Sequence, residues 1–204
     1  MVDRMDDGWA AARPASPSPR RRRRTWYLAV FALLVIAFAI SFPALRRLRV
    51  IVRVVRTPPV LPYPIPVEGV QQRQLTDSWG AARSGNRRHQ GIDIFAPCGT
   101  PILSTTEGVV FTVGTNSLGG QIVRVLGPGG YWHYYAHLSR YGDVREGELV
   151  AAGTVLGYVG VTGNAKGTPC HLHYGVYTWG NQAVDPYPLL TDSAHRRGIP
   201  AATR

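Results

Sequence analysis

Residues 26–45, WYLAVFALLVIAFAISFPAL, run for twenty positions without a charged side chain. At about 1.5 Å per residue a helix of that length spans about 30 Å, the thickness of a bilayer's hydrocarbon core. A helix buried in a protein core seldom runs so far without one charge. A secretory signal peptide competes better, because Arg20–Arg24 precede the run and Ala37-Phe38-Ala39 offers a cleavage triplet. Yet the run exceeds the roughly 7–15 apolar residues of a signal core, and the leader before it is long and partly acidic. The expectation is an uncleaved transmembrane anchor. More arginines precede the run than closely follow it, which places the N-terminus in the cytoplasm.

The formal charge of +11 invites a nucleic-acid partner, but its distribution argues against one. Residues 1–56 hold 12 of the 23 basic residues and 3 of the 12 acidic ones, leaving 11 against 9 for the rest. The basicity flanks the apolar run. The remainder is nearly neutral, and no nucleic acid is expected.

Residues 1–25, rich in Pro, Ser and Arg, read as a disordered cytoplasmic tail. Residues 46–67 read as a linker, first basic (LRRLRVIVRVVR) and then proline-rich (TPPVLPYPIPV). Such a proline density favours polyproline II, a semi-rigid spacer of roughly 30 Å that would hold a domain away from the membrane. From 68 to 190 short apolar runs alternate with glycine turns: GVVFTVG, QIVRVLG, WHYYAHL, GELVAAGTVLGYVG and HLHYGVY. Runs of this length, rich in Val, Ile and Tyr, read as strands. No helical apolar stripe of useful length interrupts them. The expected fold is all-β, an antiparallel sheet or sandwich, followed by a polar tail at 191–204.

The histidines of this domain are arranged for chemistry. His89 and Asp93 form H-x-x-x-D, and on an extended chain positions i and i+4 face the same way. His171 and His173, in CHLHYG, are i and i+2 on a strand and share a face. A catalytic zinc takes three His or carboxylate ligands and keeps one position for water. His89, Asp93 and one histidine of the H-x-H pair would supply that set. The other histidine, with His137 of YYAHLS, would remain for proton transfer or oxyanion stabilisation.

HQGID, YYAHLS, the glycine-rich run 147–163 and CHLHYG, in this order, resemble the lysostaphin/LytM-type zinc endopeptidases, which cut peptide cross-links of bacterial peptidoglycan. The resemblance covers about residues 68–190. It implies that His89, Asp93 and His173 bind one zinc ion and that His137 and His171 are the catalytic pair. It also implies peptidoglycan stem peptides as substrate and a periplasmic domain on a single-pass inner-membrane anchor. Two departures stand out: Cys170 where the family more often has Pro, and Gly175 where an acidic residue is frequent. All five chemical positions are filled, which favours an enzyme over a non-catalytic wall-binding module or activator.

His133, Tyr135 and His137 alternate along one predicted strand and are expected to share a face, with His133 either at the groove or exposed. His195 sits in the polar tail and is expected to be inert. Cys98 and Cys170 flank the proposed ligands; a disulfide between them and a pair of small buried thiols are both open.

Overall fold

The structure is a computed structural model that describes residues 19–191. Residues 1–18 of the expected tail, and the C-terminal tail from 192 with His195, lie outside the described residues. The chain divides into two units at Arg46/Arg47.

Helix α1 (Pro19–Arg56) carries the apolar run, and Trp26, Leu28, Phe31 and Leu33 on it are exposed. Among the described residues it is the helix long and apolar enough to cross a membrane. Its helical course continues through the basic segment to Arg56, where Thr57 closes the last turn through Arg53 O and Val54 O.

The second unit is a β domain. Its strands are β1 (Ala82–Arg83), β2 (Arg87–Arg88), β3 (Ile92–Phe95), β4 (Pro101–Leu103), β5 (Gly108–Asn116), β6 (Gly120–Leu126), β7 (Trp132–Tyr141), β8 (Leu149–Val150), β9 (Val155–Val159), β10 (His171–Tyr177) and β11 (Ala183–Val184). Strands β1 and β2 form a small ribbon; the other nine form one sheet. Every pairing is antiparallel. The sheet runs β11-β10-β7-β6-β5-β8, with β3 also on β10 and β9 joining β7 to β4. One face supplies the core, built from Ile92, Ile94, Val123, Val125, Tyr135, Leu172, Tyr174 and Val176. The short helix α2 (Tyr187–Leu190) adds Leu189 and Leu190.

The proline-rich stretch differs from the expected spacer. Tyr63 and Val67 are 4% and 2% exposed and belong to the core, while Val67 bridges Ile102. Tyr63 N donates to Leu189 O at 2.7 Å, and Leu103 N donates to Pro66 O at 3.0 Å. Proline removes donors but leaves carbonyls, so the segment docks by accepting at Pro66 O, by donating from the non-proline Tyr63 N, and by burying the apolar residues between its prolines. It is a strap on the domain.

Candidate active site

Strand β10 gathers the site because it pairs on both edges. On one side His173 lies opposite Asp93 of β3; on the other it lies opposite Ala136 of β7. Directly opposed residues in an antiparallel sheet share a face, so one row sets His173 beside Asp93 and brings His137 within reach. His171, two positions back on β10, completes the face opposite Phe95. His89 arrives from the segment after β2. The turn from it into β3 passes so close to β10 that a Cβ on Gly91 would sit 2.6 Å from Tyr174 O and 2.7 Å from His173 Cε1. Only glycine fits there.

His89 Nε2 is 2.8 Å from His173 Nδ1 and 3.1 Å from Asp93 Oδ1; His173 Nδ1 is 3.2 Å from the same oxygen. His171 Nε2 follows at 3.9 Å from Asp93 Oδ1. The His137 ring centroid is 5.0 Å from that of His171 and 5.8 Å from that of His173. Asp93 Oδ2 is taken by the guanidinium of Arg83, which leaves Oδ1 as the oxygen aimed at the imidazoles.

Carbonyl partners fix three tautomers. His89 Nδ1 lies 2.8 Å from Ser78 O, His137 Nδ1 2.8 Å from Thr162 O, and His171 Nδ1 2.8 Å from Pro169 O. A carbonyl only accepts, so each Nδ1 carries the proton and each Nε2 presents a lone pair. Ser78 also accepts the Asp93 N–H through Oγ at 3.1 Å, so one residue positions two of the three groups. Burial raises the Asp93 carboxyl, but its contacts with the imidazoles of His173 and His89, led by the His173 Nδ1 hydrogen bond, outweigh it and hold the group well below the usual carboxylate range. Burial lowers His137 to about 4 despite the Thr162 hydrogen bond, and lowers His173 as well. A carboxylate beside imidazoles kept neutral, as burial keeps His137 and His173, is the protonation state that a cation requires.

The donor set fits zinc. His89, Asp93 and His173 each offer one ligand atom, all within 4.8 Å of one another. Donors about 2.1 Å from a tetrahedral ion stand roughly 3.4 Å apart, close to the spacings above. The three border a cavity of about 610 Å³ that His137, His171, Tyr134 and Tyr177 also line.

All five predicted residues therefore meet. His133 does not join them. It faces the core beside Tyr135, with Nδ1 at 2.8 Å from Tyr174 OH and 3.0 Å from Thr105 Oγ1. His137 has φ +67°, and across β6 and β7 the pairing passes from Gln121↔Leu138 to Val123↔Tyr135, one extra residue on β7. This bulge turns His137 to the cavity while His133 stays inside, which corrects the expectation that they share a face. Cys98 and Cys170 are joined as a disulfide with Cα atoms 5.3 Å apart. Sequence reasoning did not find Ser78, Arg83 or the Thr162 and Pro169 carbonyls. Only Arg83 carried any signal, as one of three arginines close before the H-x-x-x-D motif.

A profile described as peptidase family M23 matches residues 87–186. Over 139 residues the chain is 38% identical to an L-Ala--D-Glu endopeptidase of Bacillus subtilis, covering 63% of this chain and 42% of the relative. The catalytic domain of the antimicrobial peptidase lysostaphin from Staphylococcus simulans matches with TM-score 0.52 at 29% identity, over 58% of this chain and 94% of that domain. A zinc containing peptidase from Vibrio cholerae matches with TM-score 0.52 at 28% identity, over 63% of this chain and 39% of that one. The antiparallel sheet with its site on β10 is thus of the lysostaphin-like peptidase class. Residues 87–186 are a peptidase family M23 domain. The chain spans less than half the length of the curated relative from B. subtilis.

Proposed function

We propose that this chain is a membrane-anchored, zinc-dependent endopeptidase that cleaves peptide cross-links of bacterial peptidoglycan. The observation that carries this reading is the convergence of His89, Asp93 and His173 with two further imidazoles, His137 and His171, at one cavity. The names of the similar proteins support the reaction class, and the zinc content stated for the V. cholerae peptidase supports the metal. The apolar helix and its flanking arginines support an inner-membrane anchor with the N-terminus inside and the peptidase in the periplasm.

His89, Asp93 and His173 hold the metal, and Arg83 keeps Asp93 to a single free oxygen. Zinc, when bound, supplies a water acidified toward neutral pH and a positive charge that polarises a carbonyl. The chain's own contribution is proton management. His137 and His171 each carry their proton on Nδ1, held by a backbone carbonyl, so each Nε2 is an acceptor. One takes the proton of the attacking water and delivers it to the leaving amine. The other stands beside the oxyanion and donates to it from Nε2 when that nitrogen has taken a proton from solvent before the reaction, a proton it keeps through the cycle. Burial holds the His137 imidazole neutral at physiological pH, so its Nε2 is open to accept a proton.

The test pairs zinc content with muropeptide release from isolated sacculi. His173→Ala is expected to lose both. His137→Ala is expected to keep zinc and to lose at least about a hundredfold in release, the scale of a missing general base. Full release by either purified variant refutes the assignment.

A further inference from the structure

The mouth of the cavity is positively charged in a way that the hydrolytic machinery does not use. The β1–β2 ribbon places three arginines within seven residues, Arg83, Arg87 and Arg88, and all three line the cavity with His89 and His137. Arg83 lies opposite Arg87 across the ribbon. Like charges directly opposed on two strands repel, so the arrangement costs stability unless anions offset it. For Arg83 the offset is Asp93. Asp93 is also the sole acidic residue lining the cavity among the described residues, so nothing remains for the other two.

Arg87 and Arg88 donate only to neutral oxygens. Arg87 Nε reaches Ser84 O at 3.1 Å and its Nη2 reaches Ser84 Oγ at 3.4 Å, while Arg88 Nη1 reaches Gly80 O at 3.2 Å. Neither forms an ion pair among the described residues, and both are exposed. Two guanidiniums tethered by neutral partners keep their full charge and most of their donors for a ligand. The planar donor fork suits a carboxylate.

We infer that Arg87 and Arg88 form a carboxylate-binding subsite that selects peptides bearing a free carboxylate beside the scissile amide, over neutral peptides such as glycine-only bridges. This rests on the endopeptidase reading and specifies its substrate class. Arg87 and Arg88 act as specificity residues at the approach to the site, while Arg83 stays with Asp93.

The test uses the zinc-loaded full chain in detergent and two cross-linked peptides. They are identical except that one has its carboxylates next to the scissile bond converted to carboxamides. The ratio of kcat/KM for acid over amide is expected to exceed one and to fall about tenfold in R87Q/R88Q, the scale of losing one or two half-exposed charge-assisted hydrogen bonds. The change should appear in KM. R87K/R88K, which keeps the charge, is expected to retain part of the ratio. A wild-type ratio near one, or an equal ratio in R87Q/R88Q, overturns the subsite. Binding of both peptides to the full chain carrying His137→Ala separates the two claims. Preference for the acid that vanishes in R87Q/R88Q, with neither peptide cut by wild type, leaves the subsite standing and removes the endopeptidase reading.

Discussion

A charge on His133 would have to be placed inside the core, against Tyr63, Thr105 and Tyr174, where its Nε2 already finds no hydrogen-bond partner among the described residues. Burial accordingly depresses this imidazole to about 3. In the unfolded chain the same group titrates near its ordinary value of about 6.5. Between those values the unfolded state binds a proton that the folded state refuses, so stability falls as the pH drops from about 6.5 toward 3. The slope is about 1.4 kcal/mol per pH unit for this one proton. His133→Asn is expected to lower stability at neutral pH and to flatten the acid limb by about one proton, read by urea unfolding between pH 4 and 7; parallel limbs in the two proteins would contradict it. His133 also marks the limit of what residue patterns convey. His171 and His173 were legible because they obey a period-two rule on one strand, and His89 and Asp93 because they share one short motif, although a bend at Gly91 and not an extended run brings those two together. Whether His133 points with or against His137 depends on the bulge at His137, and no local pattern in WHYYAHLS announces it.

At the scale of elements, the site depends on a contact between two loops that hold His137 from behind. Thr162 offers its carbonyl to His137 Nδ1, while its Oγ1 donates to Leu138 O at 2.8 Å and accepts from Gln121 N at 2.9 Å. The loop leading into β6 lies directly against the loop after β9. A Cβ on Gly163 would sit 2.3 Å from both Gly120 N and Leu118 O, backbone atoms that cannot swing aside, and Gly163 has φ +67°. Gly163→Ala must therefore part the two loops and draw the Thr162 carbonyl off the imidazole. The proposed metal ligands sit on β3, β10 and the His89 segment, on other elements than this contact. The expected result is near-stoichiometric zinc with muropeptide release down about ten- to a hundredfold, since small misplacements of a catalytic group cost on that order. Loss of zinc together with activity would show that the effect is not confined to His137. The long strands were readable: HLHYGVY is β10 as it stands, and GVVFTVG, QIVRVLG and WHYYAHL fall within a few residues of β5, β6 and β7. The ribbon β1–β2 was not, because the exposed pairs Ala82-Arg83 and Arg87-Arg88 on either side of a turn carry no apolar alternation. The same invisibility hid the Arg87–Arg88 pair.

For the whole molecule, the boundary that composition suggests and the boundary that packing defines do not coincide. Composition changes at Glu68, where proline gives way to glycine-bounded strands, and a chain cut there looks like a complete domain. Packing begins earlier. Val54 at the end of α1 is 2% exposed, the exposed Arg53 pairs with Glu107, and Gly129 N donates to Thr57 O at 2.8 Å. The ring of Tyr63 meets the edge of His133 at 5.0 Å, so the strap covers the polar cluster of the core. Proline density foretold an extended backbone but not its partner, since an extended segment solvated as a spacer and one laid along a sheet have the same local signature. A chain beginning at Glu68 loses Tyr63 and Val67 from the core, at roughly 1.5–3 kcal/mol for each side chain. For a domain of this size that corresponds to a fall in Tm of on the order of 10 °C or more. Thermal unfolding of chains beginning at Thr57 and at Glu68 measures the difference directly. Equal Tm values would show the strap to be a dispensable spacer after all. A large gap would mean that residues 57–67 belong to the folded domain and do not act as a free spacer.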